Sequence, residues 1–190
     1  MDLNLKQSIS FYNCLMIILP RVLIIVDMQN GFITKTSNHL LQPIEEIQYK
    51  FDHVILTKFY NPDPSPFREI LDYHKLSPAS DETKLAIKPR HDAFIIERCT
   101  YTCVTKILLA HLKNLKVKEI FICGIATEAC VLKTVLDLFE SNIKTWVIED
   151  LCASDQDQDY HKAGIILLAK LIGPTHIITY KDTLNKIEKY

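Results

Sequence analysis

Glycine is scarce in this chain: Gly31, Gly124, Gly164 and Gly173 are the only four among 190 residues. None of them fall at the G-x-G-x-x-G or G-x-x-x-x-G-K spacings, so the backbone loops that cradle a dinucleotide or a nucleotide phosphate are missing. Six cysteines are present but no C-x-x-C pair, which argues against a thiolate zinc site. A formal net charge of -1, with no block of like charges, excludes the basic face of a nucleic-acid binder and an interaction tail. The apolar run from Phe11 to Pro20 is too short to span a membrane, and no small-x-small cleavage site follows it. Residues 1–20 are therefore read as an N-terminal extension, ahead of a domain over 21–182 and a helical tail over 183–190. Several cysteines lie inside apolar runs, which suits reduced thiols in a cytoplasmic compartment.

A hydrophobic fraction of 48% over this length suits one domain with a substantial core. Arg21 to Asp27 is an apolar run without alternation, the pattern of a central parallel strand covered on both faces. It ends on Asp27, and a carboxylate there points into the crevice where open α/β sheets bind ligands. Leu40 to Lys50 has helical spacing, and His53 to Thr57 is the next strand. Three prolines between Lys58 and Phe67 forbid regular structure and predict a stiff loop. In Leu85 to Arg90, Lys88 is held extended by Pro89, and its apolar flanks predict partial burial. A buried lysine needs an anionic partner, for which Asp27 is the candidate. Tyr101 to Lys116 is amphipathic.

Glu119 to Lys133 reads as a buried strand, a turn at Gly124, and a helix opening near Cys130. Thr127 is the expected cap, and unpaired N–H groups at the helix start favour a thiolate at Cys130. A nucleophile and a small core residue are both consistent with that position. Ile143 to Ile148 is a further strand, Asp155 to Asp159 an exposed acidic loop or helix start, and His161 to Ile172 a helix that bears His161 on its surface or in packing. Thr175 to Thr179 is a last short strand. Alternating strands and helices predict a parallel sheet sandwiched by helices.

Three motifs, in this order, resemble the isochorismatase-like cysteine hydrolase family. They are Val26-Asp27-Met28-Gln29-Asn30-Gly31-Phe32, Lys88-Pro89-Arg90 followed by Ala93-Phe94, and Cys123-Gly124-Ile125-Ala126-Thr127-Glu128-Ala129-Cys130-Val131; Asp150 to Ser154 with His161 is a weaker echo. The resemblance implies a three-layer α/β/α fold with a mostly parallel sheet of about six strands. It implies a catalytic triad of Asp27, Lys88 and Cys130, a cis peptide at Ile125–Ala126, and an oxyanion hole from the Ala126 and Cys130 N–H groups. The cysteine points to an amidase-type member acting on the C–N bond of a small-molecule amide. Nicotinamidases of this family hold a metal through a D-x-H pattern, at whose positions this chain has Phe59 and Asn61. No metal site and no cofactor are therefore expected. The expected pocket around Cys130 is Phe32, Phe59, Asn61, Phe67 and Phe94. The family usually assembles as homodimers or larger homo-oligomers, and that is the partner expected besides the small-molecule substrate. The alternative is a catalytically silent module that uses the fold as a binding or oligomerising surface.

Overall fold

A computed structural model describes residues 20–188. Nearly all of the expected N-terminal extension lies outside the described residues. The apolar runs become a six-stranded sheet with the order β3-β2-β1-β4-β5-β6. β1 is Val22–Val26, β2 His53–Phe59, β3 Phe94–Arg98, β4 Glu119–Ile125, β5 Lys144–Ala153 and β6 Ile177–Ile178. Every pairing is parallel. β1 and β4 occupy the centre, and all five residues of β1 are buried, which is why its sequence does not alternate. The helices are α1 Leu41–Ile47, α2 Pro66–Glu69, α3 Lys106–Asn114, α4 Leu132–Glu140, α5 Gln158–Ile172 and α6 Tyr180–Glu188. Among the described residues, no helix is long and apolar enough to cross a membrane.

Helix starts follow capping chemistry rather than the apolar pattern alone. The amphipathic stretch expected from Tyr101 becomes helical only at Lys106, where the Thr105 hydroxyl accepts from the Leu108 N–H. Likewise α5 starts at Gln158 because the Asp157 carboxylate accepts from the Asp159 and Tyr160 N–H groups. The tail belongs to the domain: Thr183 and Ile187 of α6 are buried, and the Ile187 carbonyl accepts from the Arg21 guanidinium at 3.3 Å.

Two close approaches fix the centre of the molecule. Gly124 has φ 117 and pairs with Val26, and a Cβ there would stand 2.1 Å from the Val26 carbonyl oxygen. Only glycine lets β4 lie this near the end of β1. On the other side, Gly164 of α5 presses against the turn after β4, where an added Cβ would meet the Glu128 nitrogen at 2.8 Å.

Candidate active site

The site forms where β1, β2, β3 and β4 end, because the parallel registers bring their carboxyl termini level. Val26 pairs with Gly124, Thr57 with Ile96 and Phe59 with Arg98. Asp27 follows β1 with φ 47 and is fully buried. Its Oδ1 accepts from the Thr57 hydroxyl at 2.6 Å, while its own N–H donates to that hydroxyl at 3.1 Å. Its Oδ2 accepts from Arg98 Nη2 at 2.5 Å, an ion pair between side chains that are 0% and 3% exposed. The other guanidinium arm donates to the Thr100 carbonyl, and the group lies 5.9 Å from the Phe59 ring centroid. Burial works against the Arg98 charge, yet the adjacent Asp27 and thiol groups raise its pKa, so it stays cationic.

The partner of Asp27 is thus Arg98, and the expectation for Lys88 is corrected. Lys88 is exposed. Its N–H donates to Glu45 and its carbonyl accepts from Gln48, both on or beside α1. The neighbouring Arg90 donates to the carbonyls of Phe51 and Asp52, immediately before β2. The Lys88-Pro89-Arg90 segment therefore anchors the amino-terminal edge of the sheet, at the far end from Asp27. Arg98 carried a signal of its own: it closes the run Phe94-Ile95-Ile96 as Asp27 closes β1, with a charge at a strand end.

Cys130 stands in one π-helical turn, Thr127–Val131, that leads into α4. Within this turn the Ala126 carbonyl accepts from the Ala129 and Val131 N–H groups but not from that of Cys130 between them. The Ile125–Ala126 peptide is cis. Thr127 does not cap; its hydroxyl bonds His161 Nδ1 at 2.8 Å, tying the turn to α5. The thiolate expected at Cys130 is not the resting form. Burial, then the Asp27 charge, push the thiol well above its ordinary pKa, and Arg98 offsets only part of this. The thiol stays protonated, with the Asp27 and Arg98 charges both acting on it.

A cavity of about 380 Å³ opens beside Cys130. Phe32, Phe59, Phe67, Tyr101 and Tyr160 line it, with Ala126 and Ala129 next to the cysteine. Three of the five expected pocket residues are there; Asn61 and Phe94 are not. Phe94 is the first residue of β3, opposite Arg98 at its last, and stacks on His111 with centroids 4.4 Å apart. Asn61 is buried under the proline-rich loop, where its amide donates to the Tyr73 and Lys75 carbonyls and accepts from Ser65. Asn61 Oδ1 is engaged by the Ser65 hydroxyl inside the loop and Phe59 has no ligating atom, so these two residues do not fit a metal. Thr57, Tyr73, Glu128 and Asp155 were not expected; Asp155, read as part of an exposed loop, is half-buried in the cavity wall.

Sheet order, a cysteine in the turn after β4 and a buried acid–base pair at the strand ends define an isochorismatase-like α/β protein. The isochorismatase domain family matches residues 21–178, and the chain belongs to that family. The isochorismatase family protein 2A of Dictyostelium discoideum is 27% identical over 147 residues, 73% of this chain and 68% of that protein. A cysteine hydrolase from Pseudomonas syringae pv. phaseolicola 1448A superposes with a TM-score of 0.79 at 20% identity, covering 90% of this chain and 93% of that one. The pyrazinamidase of Pyrococcus horikoshii, solved in complex with zinc, gives a TM-score of 0.71 at 19% identity, over 84% and 98% of the two chains.

Proposed function

We propose that this protein hydrolyses the C–N bond of a small-molecule amide through a thioester on Cys130. The observation that carries this reading is the Asp27–Arg98 pair, buried near the Cys130 thiol beside an aromatic cavity. Asp27 takes the thiol proton as the sulfur attacks the substrate carbonyl, so the raised thiol pKa is overcome only when the electrophile is in place. The carbonyl oxygen becomes an oxyanion, received by the Ala126 and Cys130 N–H groups. Collapse breaks the C–N bond, and Asp27 gives its proton to the departing amine. Water then attacks the thioester while Asp27 accepts a proton, and the acid leaves as the thiol is restored.

Arg98 takes the role that the family resemblance assigned to Lys88. It holds the Asp27 carboxylate in place and offsets the negative charge on sulfur. Since Phe59 and Asn61 do not fit a metal, no step is assigned to one. The test is ammonia release from a panel of small amides, with Cys130→Ala as control and a chelator in a parallel series. Turnover that disappears with Cys130→Ala and persists in chelator supports the reading. Turnover that survives Cys130→Ala refutes it.

A further inference from the structure

The charged groups lining the cavity are both carboxylates: Glu128, in the turn after β4, and Asp155, just past the end of β5. No lysine, arginine or histidine lines it among the described residues. Glu128 Oε1 accepts from the Ser154 hydroxyl at 2.7 Å, but Oε2 is buried without a partner. The Tyr73 hydroxyl, on the same wall, is also buried and unpaired. A buried acceptor left unsatisfied costs about 1–3 kcal/mol, more when it is charged, so a donor brought by a ligand recovers that penalty. Arg98 pairs with Asp27 and does not line the cavity, although its Nε is buried without a partner, and the exposed Lys75 is the basic group whose charge reaches Asp155. Asp155 and Asp157 add to the negative field on Glu128. Burial raises the pKa of both carboxyls, and the Lys75 charge offsets only part of this at Asp155. Phe32, Phe59, Phe67, Tyr101 and Tyr160 make up much of the remaining wall, and aromatic rings attract cations at their faces.

Resting on the amide-hydrolase reading above, we infer that the substrate of this pocket is an amide with a cationic distal end: an amine, an amidine or a guanidine. Glu128 and Asp155 receive the N–H donors of that group and set specificity, while Cys130 meets the carbonyl at the other end. Amides bearing a carboxylate are repelled by the same two residues.

Benzamidine, a flat amidinium, is the probe, with benzoate as its anionic counterpart of equal shape. Calorimetric titration of the full chain is expected to give one benzamidine site and no benzoate binding. Glu128→Gln and Asp155→Asn should each weaken benzamidine about tenfold or more, as loss of a charged hydrogen bond requires. Alkylation of Cys130 should abolish the site, since the adduct fills the cavity. Thermal melts identify a variant that fails to fold, in which case the other carries the comparison. Benzoate binding as well as benzamidine, or benzamidine affinity unchanged in both variants, overturns the inference. The two readings fail separately. Benzamidine binding without turnover of any amide leaves the cation site standing and refutes the hydrolase. Cys130-dependent turnover faster on neutral or carboxylate-bearing amides than on aminoalkyl amides does the reverse.

Discussion

Replacing Arg98 by methionine tests the assignment of the partner of Asp27 most directly. The pair is nearly free of solvent, with side chains 3% and 0% exposed, so screening by water does not apply to it. Removing one partner of such a pair strands the other charge, at a cost of about 3–5 kcal/mol. That is a large part of the 5–15 kcal/mol typical of a whole domain. Arg98→Met is therefore expected to lower the urea midpoint sharply without changing the slope. Asp27→Asn combined with Arg98→Met removes both charges and is expected to be more stable than Arg98→Met alone. Lys88→Met, at an exposed site, should stay within about 0.5 kcal/mol of the parent. Arg98→Lys should recover part of the loss, because one ammonium can reach Asp27 but cannot also copy the second guanidinium arm on the Thr100 carbonyl. Equilibrium urea unfolding by circular dichroism measures all five proteins. A cost below about 1 kcal/mol for Arg98→Met, or an equal cost for Lys88→Met, refutes the assignment on the scale used above.

Thr57→Val removes the hydroxyl that bonds both the N–H and Oδ1 of Asp27, and is expected to cost about 1–3 kcal/mol and to slow turnover; an unchanged urea midpoint would count against it. Gly164→Ala should destabilise, although alanine is favoured over glycine in a helix by about 1 kcal/mol, because the new Cβ would stand 2.8 Å from the Glu128 nitrogen and 2.9 Å from its Cα. A melting temperature at or above that of the parent would show that the α5 contact is loose. Burial raises the Cys103 thiol to about 11 and Cys152 to about 12, and pushes Cys123 and Cys130 up as well. An unfolded thiol ionises near 8.5, so the unfolded chain releases these protons first as pH rises. The stability they confer is full below about pH 8.5 and is lost above it, by up to about 1.4 kcal/mol per thiol per pH unit. Urea midpoints that hold constant from pH 8 to 10 would contradict this.

What was legible in the sequence, and what was not, divides along the range of the interactions. The strands β1 and β4 are written as apolar runs because both their faces are covered, so Asp27 could be placed at a strand end and Cys130 in the turn after a strand from local pattern alone. Arg98 could not be chosen over Lys88 in the same way. Both basic residues adjoin apolar residues, and Pro89 makes Lys88 look deliberately held, but the ends of the sheet they occupy depend on parallel registers across β1, β2 and β3. Asn61 failed as a pocket residue for a related reason: its Nδ2 donates to carbonyls 12 and 14 residues away and its Oδ1 accepts from the Ser65 hydroxyl. Thr57 reads as one more β-branched strand residue until Asp27 is brought beside it. Thr127 lies in a π-helical turn rather than an ordinary helix start, which left its hydroxyl for His161 instead of a cap.

An arginine rather than a lysine beside Asp27 has a chemical consequence at this site. A lysine in so buried a place can shed its proton, and its charge then depends on that of Asp27. A guanidinium cannot do so in the range where proteins fold, so the positive charge beside Cys130 is constant. Asp27, in turn, has both oxygens held, Oδ1 by Thr57 and Oδ2 by Arg98. In the proposed thioester mechanism, what varies through the cycle is then the single proton that passes between the Asp27 carboxylate and the Cys130 sulfur. On that proposal a fixed cation, a carboxylate clamped from two sides and a thiol kept protonated by burial make a cysteine that is a poor nucleophile at rest. It becomes active when a carbonyl enters the cavity and draws the sulfur forward. On this account the aromatic walls and the two cavity carboxylates govern reactivity as well as affinity, because they decide which carbonyl arrives in line with the thiol.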